Sequence, residues 1–269
     1  MNYKLKIAFL LLPLLPSCEK EIPIDYHETE HHYVAEASLT QTGTNVRLST
    51  TQNVTDNNLR NHVVENATIV LSCKTYSIKD TLHYTRNGIY TSDMAGAPGI
   101  SYDLDIYVDD HHFTSSSTMQ DVPNVLSFRF AWIKMVSQRI LYADLRIQDD
   151  PDRSNYYFMH IYRNNMGYRW AVMTDDKNKG GELQQLFSCC TEDDMDKGDS
   201  DALKENDLIR VEVRAIDRAS YDYLYSMQVM DNAGTNPINN FTGGCLGYFS
   251  AYSYVNLHSI FHRSEVEEE

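Results

Sequence analysis

Short runs rich in Val, Ile, Thr and Tyr recur along this chain between clusters of turn-forming residues, and they constrain the fold more than any other feature of the sequence. In the run Ser101–Val108 the even-numbered positions are apolar, while Asp103 and Asp105 stand between them. This alternation is typical of a β-strand with one buried and one solvated face. Seven such runs lie between Tyr33 and Thr118, and their close spacing predicts an immunoglobulin-like β-sandwich.

A second series of runs begins after Pro123, and these runs are longer. They are again rich in β-branched and aromatic residues, which predicts an antiparallel sheet. The runs are Ile140–Gln148, Asn155–Tyr162, Tyr168–Thr174 and Leu208–Ile216. We therefore predict an all-β chain, in which an N-terminal immunoglobulin-like β-sandwich is followed by a second antiparallel β-rich domain with one short helix.

One segment has the pattern of that helix. Asp217 is a suitable N-cap, and the following residues Arg218–Met230 contain neither Gly nor Pro. The residues of the apolar face, spaced by three or four positions, are Ala219, Tyr223, Met227 and Met230. Such a stripe predicts that the helix packs against the core.

The first residues of the chain predict that the protein is exported and attached to a membrane surface. Lys4 and Lys6 precede an apolar run too short to span a bilayer, and the small residue Ser17 stands directly before Cys18. This order predicts a lipoprotein signal, in which cleavage leaves Cys18 first and its acylated thiol holds the protein at the lipid bilayer. An ordinary cleaved signal with an incidental cysteine is the alternative. The predicted divisions are a signal peptide over residues 1–17, a tether over 18–30, the β-sandwich over 31–120 and the C-terminal domain over 121–269.

The chain is acidic, with a formal net charge of -15 at pH 7. Such a charge repels the phosphates of nucleic acid, and no cluster of Lys or Arg reverses it locally, so we expect no nucleic-acid partner. The hydrophobic content of 42% with only 12 Gly and 7 Pro predicts an ordered fold rather than a disordered chain.

The sequence contains none of the common catalytic or cofactor motifs, such as a G-x-S-x-G elbow, an H-E-x-x-H zinc motif, a phosphate loop or a dinucleotide fingerprint. We therefore predict no catalytic residue, no cofactor and no metal site. The acidic stretch Thr191–Asp201 comes closest to a cation site, but its spacing departs from that of a calcium loop. Whether this stretch binds calcium stays open at this point.

Four cysteines remain besides Cys18, and export makes disulfides available to them. Sequence does not rank the pairings of four thiols. A bond from Cys189 or Cys190 to Cys245 is the candidate disulfide, and buried thiols are the alternative. None of the spacings resembles a zinc ribbon or a C-x-x-C redox pair.

Tyrosine is over-represented, with 19 Tyr against 2 Trp. The stretch Gly243–Tyr254, which follows Asn236 and Asn239, combines glycines with rigid aromatic rings that suit an interface. The candidate partner-binding residues are Tyr248, Phe249, Tyr252 and Tyr254. Ordinary packing is the alternative, with the aromatic rings in the core and the glycines in turns of positive φ.

Several segments together resemble one known family. The segments are Cys18–Ile22, Tyr33–Leu39, Asn66–Val70, Gly88–Tyr90, Pro98–Leu104, Val122–Pro123, Asp149–Tyr157 and Asn236–Ser253. Through them the chain resembles the DUF4249 family of Bacteroidota envelope lipoproteins over essentially its whole mature length. The resemblance implies an outer-membrane, lipid-anchored protein with exposure at the cell surface, and it supplies no catalytic residue.

The resemblance also implies a function, because members of that family are often encoded beside TonB-dependent outer-membrane transporters. The first prediction is a non-enzymatic cell-envelope lipoprotein that acts as an accessory binding partner of such a transporter or of its cargo. A carbohydrate- or glycan-binding surface module is the alternative, in which tyrosines of the second half stack on sugar rings. A hydrolase built from sequence-distant acids is a third interpretation.

Overall fold

The structure is a computed structural model of the chain, and it describes residues 31–52, 62–176, 180–233 and 237–268. These residues fold mainly into β-strands, which form four sheets, with two α-helices. The predicted all-β class is therefore confirmed. The predicted signal peptide, the tether and Cys18 lie outside the described residues.

Two of the sheets, sheet A and sheet B, face each other as a sandwich. The strands of sheet A, in spatial order, are β15 (Leu246–Ala251), β1 (Tyr33–Thr40), β2 (Gly43–Thr50), β6 (Ile89–Ser92) and β5 (His83–Arg86). Those of sheet B are β4 (Ile78–Thr81), β3 (Thr68–Cys73), β7 (Ser101–Val108) and β8 (His111–Thr118). Leu48 of sheet A shares one fully buried cluster with Leu71 and Leu104 of sheet B, so the predicted N-terminal sandwich has a common core.

The other two sheets, sheet C and sheet D, form a second sandwich. The strands of sheet C are β13 (Glu182–Thr191), β10 (Arg139–Gln148), β9 (Asn124–Lys134) and β17 (Glu267–Glu268). Those of sheet D are β12 (Met166–Thr174), β11 (Tyr156–Arg163), β14 (Leu208–Ile216) and β16 (Ser253–Ile260). Leu145 of sheet C packs in one buried cluster with Ile161 and Val213 of sheet D. All pairings are antiparallel except that of the two-residue strand β17 with β9.

One of the seven runs predicted as strands between Tyr33 and Thr118 is Ser77–Tyr84, and it contributes to two strands in the structure. The chain leaves sheet B after β4 and enters sheet A as β5. Leu82 lies buried between them, and its N–H donates to the carbonyl of Ile69 at 2.9 Å. The single-strand expectation was wrong because alternation predicts which face a residue occupies but not which sheet the strand joins.

Strand β15 completes sheet A from the far end of the sequence. It runs parallel to β1, with Phe249 opposite Ala37. The first sandwich therefore contains a strand from outside the predicted range 31–120. The chain then passes through Tyr252 into β16 of sheet D, so the two sandwiches are joined there as well as by residues 119–123. The described residues belong to one compact unit.

The predicted helix is α2, Arg218–Ala233, and Asp217 caps it by accepting from the Ser220 N–H at 2.9 Å. Its buried side chains, among those described, are Ser220, Leu224 and Ser226 rather than the predicted apolar stripe. The small Ser220 lets the helix approach β15, where its hydroxyl donates to the Phe249 carbonyl at 3.5 Å. A hydrophobic pattern does not detect a buried serine, so the predicted face was off by about one residue. Neither helix of the described residues is long and apolar enough to cross a membrane.

Candidate functional site

The outer face of sheet D carries aromatic rings beside charged groups. Alternate residues of β11 and β14 point away from the core of the sandwich, as the two-residue period of a strand requires. The opposed outward pairs are Phe158 with Arg214, His160 with Glu212 and Tyr162 with Arg210. An aromatic or imidazole ring thus lies next to a charged side chain in each row.

Glu212 lies between two arginines of its own strand. Its Oε1 accepts from Arg214 Nε at 2.6 Å, and its Oε2 accepts from an Arg210 terminal nitrogen at 3.0 Å. The Arg210 guanidinium lies 3.7 Å from the centre of the Tyr162 ring. The three charged side chains are therefore held in fixed directions by ion pairs and ring contacts, rather than extending freely into solvent.

Arg214 is the centre of this arrangement. Its guanidinium lies 4.8 Å from the ring centre of Phe158 and 4.6 Å from that of Tyr252. Tyr252 stands at the point where the chain passes from sheet A to sheet D, and burial raises the pKa of its hydroxyl to about 12. The hydroxyl therefore stays protonated at neutral pH, and Arg214 keeps its charge among two aromatic rings and one carboxylate.

His160 is a neutral neighbour of these charges at neutral pH. Its ring stacks on Tyr162 with centroids 4.0 Å apart. Burial first, and then the positive charge of Arg214, lower the pKa of the imidazole. Trp170 lies opposite His160 on β12 and is 40% exposed, which leaves a flat ring open to solvent beside the site.

A polar wall faces these groups across a cleft of about 430 Å³. Sheet A supplies this wall with hydroxyl and amide side chains from β1, β2 and β6. The residues that line the cleft include Ser38, Thr40, Asn45, Thr91, Glu212, Arg214, Tyr252 and Tyr254. We call this space the inter-sheet cleft. It brings together an aromatic and charged side from sheet D and a hydroxyl-rich side from sheet A.

The four predicted partner-binding residues are divided by the structure. Phe249 is fully buried in the core of the first sandwich and has no surface to offer a partner, so its inclusion was wrong. Tyr248 stacks on Tyr223 of α2, with centroids 4.5 Å apart. Tyr252 and Tyr254 line the inter-sheet cleft. Partner binding by these tyrosines stays a prediction.

The glycines and asparagines of the same stretch form the edge of sheet A. Gly243, Gly244 and Gly247 all have positive φ, as the packing alternative expects. Asn240 pairs with the backbone of Phe249 through its side chain, donating to the carbonyl and accepting from the N–H, both at 2.8 Å. Asn239 accepts from the Gly247 N–H at 2.9 Å. These amides cover the outer edge of β15, which otherwise has unpaired backbone groups. Asn236 lies outside the described residues.

The four cysteines that the structure describes, Cys73, Cys189, Cys190 and Cys245, are buried free thiols. Cys189 lies in the core of the second sandwich, whereas Cys245 lies in the core of the first. The candidate bond from Cys189 or Cys190 to Cys245 is therefore not formed, because the thiols belong to different cores. Burial raises the pKa of both Cys189 and Cys245 to about 12.

The acidic stretch Thr191–Asp201 contains a helix, α1 (Glu192–Lys197). Thr191 and Asp194 form a capping box, and Gly198 ends the helix in the left-handed conformation. The acids thus serve as helix caps and surface ion pairs. In the part of the chain that the structure describes, no three His, Cys, Asp or Glu side chains come together as a metal site.

Arg210, Glu212 and Arg214 belong to the site, although no sequence motif marks them. Their signal was present, since they occupy alternate positions of the predicted strand Leu208–Ile216. A charged face on a strand usually indicates only solvent exposure, so the pattern alone does not identify a site. The rings and hydroxyls that face these charges come from distant segments and are brought in by the tertiary fold.

Comparisons with known proteins add family membership. The comparison with curated proteins returned no match. A two-domain fibronectin type III segment of chicken tenascin is similar over 86% of this chain and 99% of its own length, at 11% identity and a TM-score of 0.23. The profile of a domain of unknown function, DUF4249, matches residues 19–257, and the chain belongs to this family.

Proposed function

We propose that this protein is a non-catalytic binding protein of the cell envelope whose inter-sheet cleft takes up a carbohydrate. The observation that carries the proposal is the pairing of tyrosine rings with an arginine–carboxylate pair on one side of the cleft and hydroxyl groups on the other. A sugar ring has an apolar C–H face and a rim of hydroxyls. The C–H face stacks on aromatic rings, and the hydroxyls bond to planar polar side chains.

The tyrosines of the cleft supply the stacking surface, and its charged side chains supply the hydrogen-bonding groups. Tyr254, which is half-buried, offers a ring face for stacking, and Tyr252, which is only 8% exposed, supports it with the two ring centroids 6.1 Å apart at 62°. Glu212 has acceptor oxygens already oriented by two arginines, and Arg214 has donors on the same side. Preorganised polar groups lose little conformational entropy on binding, which favours a ligand of matching hydroxyl pattern.

Binding of purified protein to a panel of oligosaccharides, followed by calorimetry on the best ligand, tests this proposal. We expect Tyr254→Ala to weaken binding at least tenfold, equivalent to about 1.4 kcal/mol, through loss of stacking. Glu212→Gln keeps the shape of the side chain but removes its negative charge. It should therefore weaken the hydrogen bonds that this side chain accepts from sugar hydroxyls, and with them the affinity for the ligand. The matched control is Tyr76→Ala, which removes a 59% exposed tyrosine of the first sandwich. Undiminished binding by Tyr254→Ala would contradict the assignment to this cleft.

The proposal includes a lipid anchor on Cys18 at the outer membrane of a Bacteroidota cell. It is supported by the apolar run and the small residue before Cys18. We expect Cys18→Ala to abolish lipid labelling and to leave unprocessed or unanchored protein, because no thiol remains to be acylated. Continued labelling of that variant would refute the anchor.

Partnership with a TonB-dependent transporter is the second proposal, and it is supported by the resemblance given in the sequence and by the predicted lipoprotein signal before Cys18. A carbohydrate-binding lipoprotein beside such a transporter would capture cargo for it. Affinity purification from the native envelope, with mass spectrometry of the co-purified proteins, tests the partnership. Recovery of sugar binding without any transporter would leave the first proposal intact and contradict the second.

A further inference from the structure

Two loops at one end of the second sandwich enclose a pair of buried carboxylates. Asp149 directly follows β10, Asn155 directly precedes β11, and Asp175 directly follows β12. The loops are joined by backbone bonds from the Asp149 N–H to the Gly181 carbonyl at 3.0 Å and from the Asp175 N–H to the Asn155 carbonyl at 3.3 Å. Asp149 is 3% exposed and Asp175 is 0% exposed.

The side-chain nitrogen of Asn155 lies in a cage of oxygen atoms. It lies 2.9 Å from Asp149 Oδ1, 2.9 Å from the Asp150 carbonyl, 3.3 Å from the Arg153 carbonyl and 3.3 Å from Asp175 Oδ2. An amide nitrogen carries only two hydrogens for these four acceptors. The nitrogen is therefore surrounded by more acceptor oxygens than its two hydrogens can satisfy.

The second oxygen of the Asp175 carboxylate has no hydrogen-bond donor. This oxygen, Oδ1, is buried and accepts no hydrogen bond from the part of the chain that the structure describes. Among the described residues, neither Asp149 nor Asp175 forms an ion pair with Lys, Arg or His; Arg153 instead pairs with Asp150 and Asp121. Two buried carboxylates are costly when no cation among the described residues faces them, because hydrogen bonds compensate a buried charge only in part.

The backbone holds the cage closed from the other side. The Gly180 N–H donates to Asp149 Oδ2 at 2.9 Å, and Gly180 has a φ of +76°. A Cβ at Gly180 would lie 2.5 Å from Pro151 Cβ, so Gly180 packs directly against the loop that contains Pro151. Burial, followed by the charges of Asp149 and Asp175, raises the pKa of the nearby Tyr157 hydroxyl. The negative charge of the two carboxylates thus disfavours ionisation of the neighbouring Tyr157 hydroxyl.

We propose that this cage is a calcium site. Rotation of the Asn155 amide by half a turn replaces its nitrogen with an oxygen of nearly the same size. The resulting six oxygens are Asp149 Oδ1, both Asp175 carboxylate oxygens, Asn155 Oδ1 and the carbonyls of Asp150 and Arg153. Calcium takes six to eight oxygen ligands at about 2.3–2.6 Å, from carboxylates, amides and backbone carbonyls. Zinc is disfavoured because no Cys or His belongs to the set.

Thermal unfolding and calorimetry of the full purified protein, in EDTA and in increasing CaCl2, test the proposal. We expect the Tm to rise with the logarithm of the calcium concentration, because calcium binds only the folded chain. Asp175→Asn should lose at least tenfold in calcium affinity. The control is Asp193→Asn, which neutralises an acid of α1 that is 83% exposed and should leave the calcium response unchanged.

A second variant keeps the test decisive if Asp175→Asn folds poorly. Asn155→Asp adds a carboxylate to the cage, so it should lower the Tm in EDTA and enlarge the rise with calcium. No calcium response in the wild type, or an equal response in Asp175→Asn, would overturn the proposal. A shared proton on the two acids would appear as pH-dependent stability in EDTA without any calcium response. An equal rise with MgCl2 would overturn the choice of calcium.

Discussion

The Asp217 carboxylate accepts a hydrogen bond from the Ser117 hydroxyl at 2.6 Å and thereby joins the start of helix α2 to the end of strand β8. The same oxygen accepts from the Thr118 N–H at 3.0 Å, and the other oxygen caps the helix at Ser220. Ser117 in turn accepts from the Ala251 N–H at 2.8 Å, next to the crossover into β16. One carboxylate therefore links the helix to both connections between the sandwiches through hydrogen bonds.

Asp217→Ala should be strongly destabilising. It removes a helix cap worth about 1 kcal/mol and two bonds to a charged acceptor, so we expect a loss of about 3 kcal/mol in the free energy of unfolding. Asp222→Ala is the control. Asp222 pairs with the exposed Arg218 one turn earlier, so this substitution should cost about 0.5 kcal/mol. Urea unfolding of both variants measures the difference, and equal losses would contradict the role given to Asp217.

Gly247→Ala and Gly244→Ala distinguish two costs of adding a side chain: a steric clash with the neighbouring strand and an unfavourable backbone conformation. Both residues have positive φ, which costs an alanine about 1–2 kcal/mol. A Cβ at Gly247 would also lie 2.1 Å from the Ala35 carbonyl oxygen of the adjacent strand, whereas Gly244 has open space. We expect Gly247→Ala to lose at least about 2 kcal/mol more than Gly244→Ala, or to fail to fold. Similar unfolding midpoints for the two variants would show that β15 does not pack against β1 in this register.

Two histidines should titrate on opposite sides of the ordinary imidazole pKa of 6.5. Burial lowers the pKa of His160, whereas a hydrogen bond to the Glu205 carboxylate raises that of His262. Side-chain NMR titration, with His160→Gln and His262→Gln to assign the signals, measures both values. A His160 signal that titrates above His262 would contradict the arrangement around Arg214.

The same shifts set the direction of pH-dependent stability. The His262 contribution is fully present below pH 6.5 and is lost as the pH rises through its folded-state pKa. His160 acts in the opposite sense, because its folded-state pKa is depressed: its contribution is present above pH 6.5 and is lost as the pH falls toward that pKa. Unfolding of the two glutamine variants between pH 5 and 8 should therefore show changes of opposite sign, and parallel changes would be inconsistent with this assignment.

The buried thiols should be unreactive in the folded protein. A pKa of about 12 leaves Cys189 and Cys245 almost entirely as thiols at neutral pH, and burial blocks access to them. In the Cys18→Ala variant we expect slow reaction with a thiol reagent under native conditions. After unfolding without reductant, Cys73, Cys189, Cys190 and Cys245 should all react. Recovery of only two reactive thiols would demonstrate a disulfide that the structure does not contain.

The strands and the long helix were predictable because their signals are local. The alternation of Ser101–Val108 appears in the structure as alternating burial along β7, and Asp217 caps α2 as its position predicts. The side chain of Asn240, by contrast, substitutes for a strand by pairing with Phe249, which no periodicity encodes. The same limitation explains why Phe249 was assigned to the surface, since strand β15 is buried only once it joins sheet A.

The sequence by itself determined the all-β class, most strand positions and the family, because a two-residue period and short motifs are properties of neighbouring residues. Only the tertiary structure decided that β4 and β5 belong to different sheets and that β15 pairs with β1. It also placed Tyr252 against Arg214, and Asp149 beside Asp175. These relationships depend on which distant segments pair, and that choice is made by burial and hydrogen bonding summed over the whole chain rather than by any local pattern.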